Sequence, residues 1–304
     1  MTDLITFDGR VAIVTGAGRG LGRSHALALA ERGARVIVND LGTAVDGAGS
    51  STESADGVVA IIEAAGGEAI ADGADVTSPN QVQAMVQRAM DRWGRIDILI
   101  NNAGMLRDRS FTKMELDDFR AVVEVHLMGT VACTKAVWPI MREQSYGRVM
   151  LTSSSSGLYG NFGQSNYGAA KASMVGLMNV LHLEGLKDDI RVNTLAPAAR
   201  SRMTEAIIPK EALDLLAPES VSAGVLFLVS EDAPSRTILA AGAGGYAVTK
   251  IYETDGISLP PGEQTPENIA ARFSEISDPE GQAELLEGSG QTVKFVTKAS
   301  RHTT

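Results

Sequence analysis

Short apolar runs and longer amphipathic stretches alternate from the start of the chain. The runs "RVAIVTGAG", "ARVIVND", "GEAIADGADV", "IDILINNAG", "GRVMLTSSS" and "IRVNTLAP" are rich in Val, Ile and Leu without strict alternation. Strands of a parallel sheet covered on both faces read this way. Between them, "GLGRSHALALAERG" and "PNQVQAMVQRAMDRWG" predict helices, and "DDFRAVVEVHLMGTVACTKAVWPIM" predicts a longer one. Repeated β–α units with right-handed crossovers give an α/β fold built on a doubly wound parallel sheet. In such sheets ligands gather outside the carboxyl ends of the strands. "TGAG", "ND", "NNAG", "TSSS" and "LAP" all fall at those ends, which makes them the first place to look for chemistry.

The alternation breaks down in two places. Residues 42–57, "GTAVDGAGSSTESADG", are rich in Gly and Ser and predict an exposed loop. After about residue 255 the chain turns polar, "DGISLPPGEQTPENIAARFSEISDPEGQAELLEG", with two short helix candidates. The expected organisation is a single domain over residues 1–255 with a C-terminal extension over 256–304. The extension's charges read either as a solvated face or as packing on a neighbouring subunit. No internal repeat is present.

Composition acts mainly by exclusion. A chain of 304 residues with 44% hydrophobic content buries a full core. The net charge of −10 argues against nucleic acid as a partner, though a local positive site still suffices for a small anion. The single cysteine, Cys133, excludes an internal disulfide and Cys-rich zinc, and no metal site is expected. Its apolar helical surroundings, "GTVACTKAVW", predict a buried core thiol. No apolar run approaches the roughly 18 residues of a membrane span. "MTDLITFDGR" lacks the basic and apolar regions of a secretory signal, and "RHTT" is not a peroxisomal address, so a cytoplasmic protein is expected.

"VTGAGRGLGR" follows the first strand and opens a helix. Its glycines, Gly16, Gly18, Gly20 and Gly22, miss the strict G-x-G-x-x-G spacing because Leu21 stands where the last would fall. The physics survives: a turn without side chains lets a pyrophosphate approach backbone N–H groups at a helix N-terminus, here with Arg19 and Leu21 in the same turn. A bare tight turn is the plainer alternative. Asp40 closes the second strand and can accept hydrogen bonds from adenosine ribose hydroxyls. It would repel a 2′-phosphate, its neighbour is Asn39, and no Arg or Lys stands close, so NAD is favoured over NADP. Asp75 and Val76, read as ending the third strand, would flank the adenine. Asn102, Ala103 and Gly104 of "NNAG" would hold the fourth strand's exit beside the cofactor. Without a cofactor all of these are turn residues.

Tyr167 and Lys171 stand at i and i+4 on a predicted helix and share one face. A free phenol, with a pKa near 10, is too weak an acid to serve as a base at neutral pH; lowering it to about 7 takes roughly 4 kcal/mol. A unit positive charge at ~4 Å supplies about that much at an effective dielectric of ~20. Ser154, thirteen residues before Tyr167, could orient a substrate oxygen against the phenol; Ser153 and Ser155 are the alternatives.

With these four motifs, "TGAGRGLG", "NNAG", Ser154 and "YGAAK", in this order, the chain resembles the short-chain dehydrogenase/reductase family over roughly residues 7–250. The resemblance implies a Rossmann-type sheet, with Tyr167 as general acid/base. Lys171 would lower the phenol's pKa and bind the nicotinamide ribose, and Ser154 would position the reacting oxygen. It implies backbone contacts to the nicotinamide near Pro197 and Ala199, although Ala198 replaces the family's usual Gly after the proline. His126, in "VHLMG", stands where the family usually has a relay Asn, and reads either as a relay member or as a plain helix histidine. "VNDLG", "NAGMLRDRSF", "VHLMG", "SSGLYGNFGQSNYGAAK" and "SRMT" are similar to one branch, the (3R)-hydroxyacyl-CoA dehydrogenase domains of type 2 multifunctional enzymes. That branch implies an acyl thioester as the small-molecule substrate; 304 residues leave no room for its hydratase partner domain, so a stand-alone dehydrogenase of similar type is expected, with NAD as cofactor on the ground of Asp40. Reduction of 3-oxoacyl groups on an acyl carrier protein, a hydroxysteroid substrate, and a non-catalytic NAD-binding protein are the competing readings. Family members are usually homodimers or homotetramers, joined through helices equivalent to 117–142 and 165–187. Arg200, Arg202 and Lys210 could meet a CoA phosphate or form a solvated helix–loop.

Overall fold

The computed structural model describes residues 4–43, 46–47, 49, 51–199 and 214–302. Arg200, Arg202 and Lys210 lie outside them. Among the described residues eight strands form one sheet: β1 (Val11–Thr15), β2 (Arg35–Asn39), β3 (Ala69–Asp72), β4 (Ile98–Asn101), β5 (Gly147–Thr152), β6 (Ile190–Pro197), β7 (Ile238–Gly242) and β8 (Gly245–Thr249). Their order is β3-β2-β1-β4-β5-β6-β7-β8, and the register from β3 through β7 is parallel throughout. This is the Rossmann arrangement, with the strand order reversing direction between β1 and β4.

The apolar runs are continuous because successive residues feed opposite cores. Val11 and Ile13 of β1 enter one cluster, Ala12 and Val14 the other. The second of these clusters takes Ala26 and Leu29 from α1 (Gly20–Glu31), Val58 and Ile62 from α2 (Glu53–Ala64), and Val221 and Val225 from the helix Pro218–Leu228. The first takes Val82 and Met85 from α3 (Pro79–Trp93), Val137 and Met141 from α5 (Gly129–Gln144), and Met174 and Met178 from α7 (Ser165–Gly185). Cys133 lies in it, 1% exposed, its thiol pushed up to about 12 by burial.

Several expectations need correction. The third strand stops at Asp72, not at Asp75–Val76. Asp72 accepts from Asn39 and from the Ala74 N–H and pairs with Arg88, which turns the chain early. The predicted loop over 42–57 ends sooner, because α2 begins at Glu53, with Glu53 and Asp56 favourable in its first turn. The predicted long helix is α4 (Leu116–Val123) and α5 joined by one π turn, Glu124–Met128. The strands β7 and β8 went unpredicted. Positive φ at Ala243 and Gly244 makes the two-residue turn between them, a geometry that joins antiparallel strands.

Contacts divide the chain into two compact units, Met1–Val248 and Thr249–Thr304. Two short helices, Pro266–Ala271 and Phe273–Ile276, lie in the polar stretch after residue 255, and a longer one, Gly288–Ser300, follows it. None of the second unit's described residues is buried. Ion pairs Lys294–Glu253, Lys298–Asp255 and Lys250–Glu284 and a bond from the Thr254 hydroxyl to the Ile276 carbonyl tie it together. Among the described residues no helix is long and apolar enough to cross a membrane, and no cluster of His, Cys, Asp and Glu could hold a metal ion.

Candidate active site

The β1–α1 turn is built for close approach. Gly16 has φ +63°, and a Cβ there would stand 2.9 Å from Ala103 Cα. A Cβ on Gly22 would lie 2.2 Å from the Gly16 carbonyl oxygen, so α1 can sit this close to the turn only without a side chain. Asn102 ties the exits of β1 and β4 together: its Nδ2 donates to the carbonyls of Thr15 and Gly16, both at 3.0 Å. The Thr15 hydroxyl accepts from the N–H groups of Asn102 and Ala103 at 3.0 and 3.1 Å. The α1 N-terminus has neither a side-chain cap from Arg19 nor an acidic residue in its first turn, and a Cβ on Gly20 would meet nothing within 4 Å. Uncapped N–H groups beside open space suit a pyrophosphate.

Asp40 stands one residue past β2. Its Oδ2 accepts from the Gly18 N–H at 2.7 Å and its Oδ1 from the Gly42 N–H at 2.6 Å. The carboxylate is thereby held against the Gly-rich turn, and each oxygen retains a lone pair for a ribose hydroxyl. The Asp75 Oδ1 accepts from the Thr77 N–H and hydroxyl, shaping the turn into α3. Val76 packs under the π turn, where a Cβ on Gly129 would lie 2.7 Å from its Cγ2. Pro197 ends β6 and Ala199 is buried just beyond.

At the exit of β5, Ser154 caps the short helix α6 (Ser155–Tyr159), its Oγ accepting from the Ser156 N–H at 3.2 Å. The same hydroxyl acts on the Tyr167 phenol in favour of its ionised form. The alternatives do other work: Ser153 is fully buried and donates to the Lys171 carbonyl at 2.8 Å, while Ser155 is exposed. Lys171 is buried, its Nζ donating to the Thr152 carbonyl at 2.6 Å and lying 5.7 Å from the centre of the Tyr167 ring. His126, on the π turn, sets its ring edge-on to Tyr167, 5.2 Å between centroids and 82° between planes. A Cβ on Gly104 would fall 2.2 Å from His126 Cε1, so the "NNAG" turn and the histidine need each other's shape. His126 Nε2 lies 2.8 Å from the Met105 carbonyl and 3.1 Å from its N–H, and Nδ1 is buried with no hydrogen-bond partner among the described residues.

Burial dominates the electrostatics. It pushes the Lys171 amine down to about 7. It also holds the His126 imidazole down at about 3, with the Lys171 charge adding to the effect and the Met105 bond opposing it. The Tyr167 phenol is raised above its usual value, first by burial and also by the Asp108 charge, against the Ser154 hydrogen bond. This corrects the expectation of a phenol made acidic by a full ammonium ~4 Å away. The amine that was to supply the charge is itself desolvated towards neutrality.

Ser154, Tyr167, Lys171 and His126 therefore converge, beside the exit of β4, while the Gly-rich turn, Asp40 and Asn102 line the neighbouring β1 exit. Thr15, Thr152, Asp108 and Gln164 were missed. Gln164 and Asp108 were visible as polar residues in "GQSNY" and "RDRSF", but only tertiary contact brings them together.

The short chain dehydrogenase family model matches residues 10–212. The peroxisomal multifunctional enzyme type 2 of Mus musculus is 45% identical over 281 residues, covering 91% of this chain and 38% of that enzyme. The structure of full-length peroxisomal multifunctional enzyme type 2 from Drosophila melanogaster superposes with TM-score 0.80 at 35% identity, over 95% of this chain and 50% of that one. A 7α-hydroxysteroid dehydrogenase complexed with NADH and 7-oxo glycochenodeoxycholic acid superposes with TM-score 0.71 at 30% identity, over 79% of this chain and 95% of that one. The chain thus spans half or less of these two multifunctional enzymes. With that sheet order, Gly-rich turn and Ser–Tyr–Lys cluster, the chain belongs to the short chain dehydrogenase family, a family of nicotinamide-dependent oxidoreductases.

Proposed function

We propose that this chain is an NAD-dependent dehydrogenase interconverting (3R)-3-hydroxyacyl-CoA and 3-oxoacyl-CoA. The observation that carries the chemistry is the half-buried Tyr167 phenol, with buried Lys171 5.7 Å behind its ring and His126 edge-on beside it. A bound nicotinamide supplies the hydride acceptor for oxidation and the hydride donor for reduction. Tyr167 exchanges the proton at the substrate oxygen, and the Ser154 hydroxyl hydrogen-bonds that same oxygen. Lys171 keeps two N–H donors beyond its bond to Thr152 when protonated, enough for a ribose diol. His126 fixes the phenol ring from the side. Gly16, Gly18, Arg19, Gly20, Leu21 and Gly22 would cradle the pyrophosphate, with Asn102, Ala103 and Gly104 alongside. Asp40, held by two backbone amides, favours a free 2′-hydroxyl and hence NAD over NADP.

The substrate class rests on similarity to the mouse enzyme over 91% of this chain. The neutral phenol favours a second reading of direction, because it is the acid form that donates a proton to a carbonyl; reduction of a 3-oxoacyl group on an acyl carrier protein is that reading. A homo-oligomer is supported by Val180, Leu183 and Leu186, exposed at 54%, 42% and 60% on and just after α7.

One experiment tests the core of this proposal. Rates are measured on (3R)- and (3S)-3-hydroxyacyl-CoA esters, with NAD and with NADP, for the wild type and Tyr167→Phe. The expected result is (3R)-selective, NAD-preferring turnover that falls by at least about a hundredfold in the variant while NAD binding persists. Undiminished turnover in Tyr167→Phe would refute the chemistry, and a preference for NADP would refute the role of Asp40.

A further inference from the structure

The direction of the Tyr167 side chain is set where α7 begins. Gln164, the residue before that helix, makes no side-chain bond to its first N–H groups. Such donors need a partner from outside the helical ladder. The Tyr167 N–H finds one in its neighbour, donating to Asn166 Oδ1 at 2.8 Å. Asn166 is fully buried, and its Nδ2 donates to the Arg107 carbonyl, on the loop after β4, at 2.9 Å. One end of the amide meets a donor and the other an acceptor, which fixes its orientation. A cap alone requires no second bond: Ser or Asp ahead of the helix supplies one without burying an amide.

Gln164 repeats the pattern. Its Oε1 accepts from the Ser156 hydroxyl at 2.7 Å and from Asn161 Nδ2 at 3.2 Å, and its Nε2 donates to Asp108 Oδ2 at 2.7 Å. Beside it the Arg109 N–H donates to the Gly163 carbonyl at 3.0 Å. Ser156 carries the connection into α6, its N–H donating to the Ser154 hydroxyl at 3.2 Å. α6 in turn lies flush on α7, because a Cβ on Gly157 would stand 2.7 Å from the Lys171 carbonyl carbon. Ser154 and Tyr167 are thus carried by two helices bound to each other, and α7 is bound to the loop after β4 as well.

We propose that Asn166 and Gln164 are positioning residues for the reaction: their amides clamp the first turn of α7 between α6 and residues 107–109, and so hold the Tyr167 phenol in register with the Ser154 hydroxyl. The inference rests on the reading of Tyr167 as the proton-transfer group. Neither amide exchanges a proton. Both act through the backbone that carries the reactive side chains, where a misplacement of about 1 Å costs on the order of a hundredfold in rate. The anchor on the far side is itself held, since Arg107 pairs with Asp118 of α4 at 3.0 Å.

The test compares the wild type with Asn166→Ala, Asn166→Asp and Gln164→Leu. Three quantities are read: kcat and KM for a (3R)-3-hydroxyacyl-CoA, the affinity for NAD, and the fluorine NMR line of fluorotyrosine placed at position 167. Asn166→Ala and Gln164→Leu should lower kcat about ten- to a hundredfold, with KM and NAD affinity within about threefold of wild type. Asn166→Asp keeps the acceptor for the Tyr167 N–H without the donor to Arg107, and should run at least about threefold faster than the alanine variant. The fluorine line should shift or broaden in the alanine and leucine variants and move back towards wild type in Asn166→Asp. Changes at two positions keep the result from hanging on one variant's folding. A line that stays in place in both truncated variants overturns the inference. So does a loss of kcat matched by an equal loss of NAD affinity and not relieved in Asn166→Asp, the mark of general destabilisation. Tyr167→Phe separates the two levels: activity surviving there removes the proton-transfer reading, while the fluorine line still decides whether the amides hold the ring.

Discussion

Lys171 is 4% exposed, and burial draws its amine down to about 7. In the unfolded chain the same amine titrates near 10.4. Between those values the unfolded state holds the proton and the folded state does not, so this group opposes folding at pH 7 and releases its penalty as pH rises towards 10. The penalty is on the order of a few kcal/mol. Lys171→Met, which keeps the bulk without the amine, should therefore show its best urea midpoint relative to wild type at pH 7, with the difference shrinking by pH 10. Parallel midpoints across that range would mean that the amine stays charged in its pocket. The choice of these side chains was legible in the sequence, because an i, i+4 pair announces a shared face. Their protonation balance was not, since desolvation depends on the residues that close around Lys171 from β5 and α6.

The β1–α1 turn shows how an element's packing can depend on a missing side chain. Gly20 has φ +54° with open space around it, so Ala there costs about 1 kcal/mol of backbone strain. A Cβ at Gly22 would strike the Gly16 carbonyl at 2.2 Å, a backbone atom that moves only with the whole turn. Gly22→Ala should unfold at lower urea than Gly20→Ala and bind NAD at least about tenfold more weakly, whereas equal behaviour would leave the close packing without consequence. The first six strands were readable because their Val- and Ile-rich runs are buried on both faces. β7 and β8, "ILAAG" and "GYAVT", were not, because small residues carry little apolar pattern and β8 is largely exposed. The π turn was equally invisible: it adds no residue type, only a wider turn that swings His126 under "NNAG" and against Tyr167.

Every buried member of the two large apolar clusters lies between Phe7 and Ala241. The unit Thr249–Thr304 buries none of its described residues. A chain ending at residue 248 should therefore keep a single cooperative unfolding transition, followed by circular dichroism. Sizing chromatography on the same sample, beside the full chain, reads the oligomeric state: if α7 is the contact, both elute as the same multimer. Loss of cooperative folding in the shortened chain would show that the C-terminal unit supplies stability its lack of buried residues does not suggest.

Alternating β–α patterning, glycines at a strand exit and the Ser154, Tyr167 and Lys171 spacing were fixed by local rules: hydrophobic periodicity, steric freedom and helical repeat. These determined the sheet, the end of it that carries the site, and the side chains of the reaction. The tertiary structure alone decided which oxygen each hydroxyl meets, that burial lowers the lysine's pKa, and that Gln164 holds Asp108. Desolvation and hydrogen-bond partnership come from residues distant in sequence, and no local pattern encodes them.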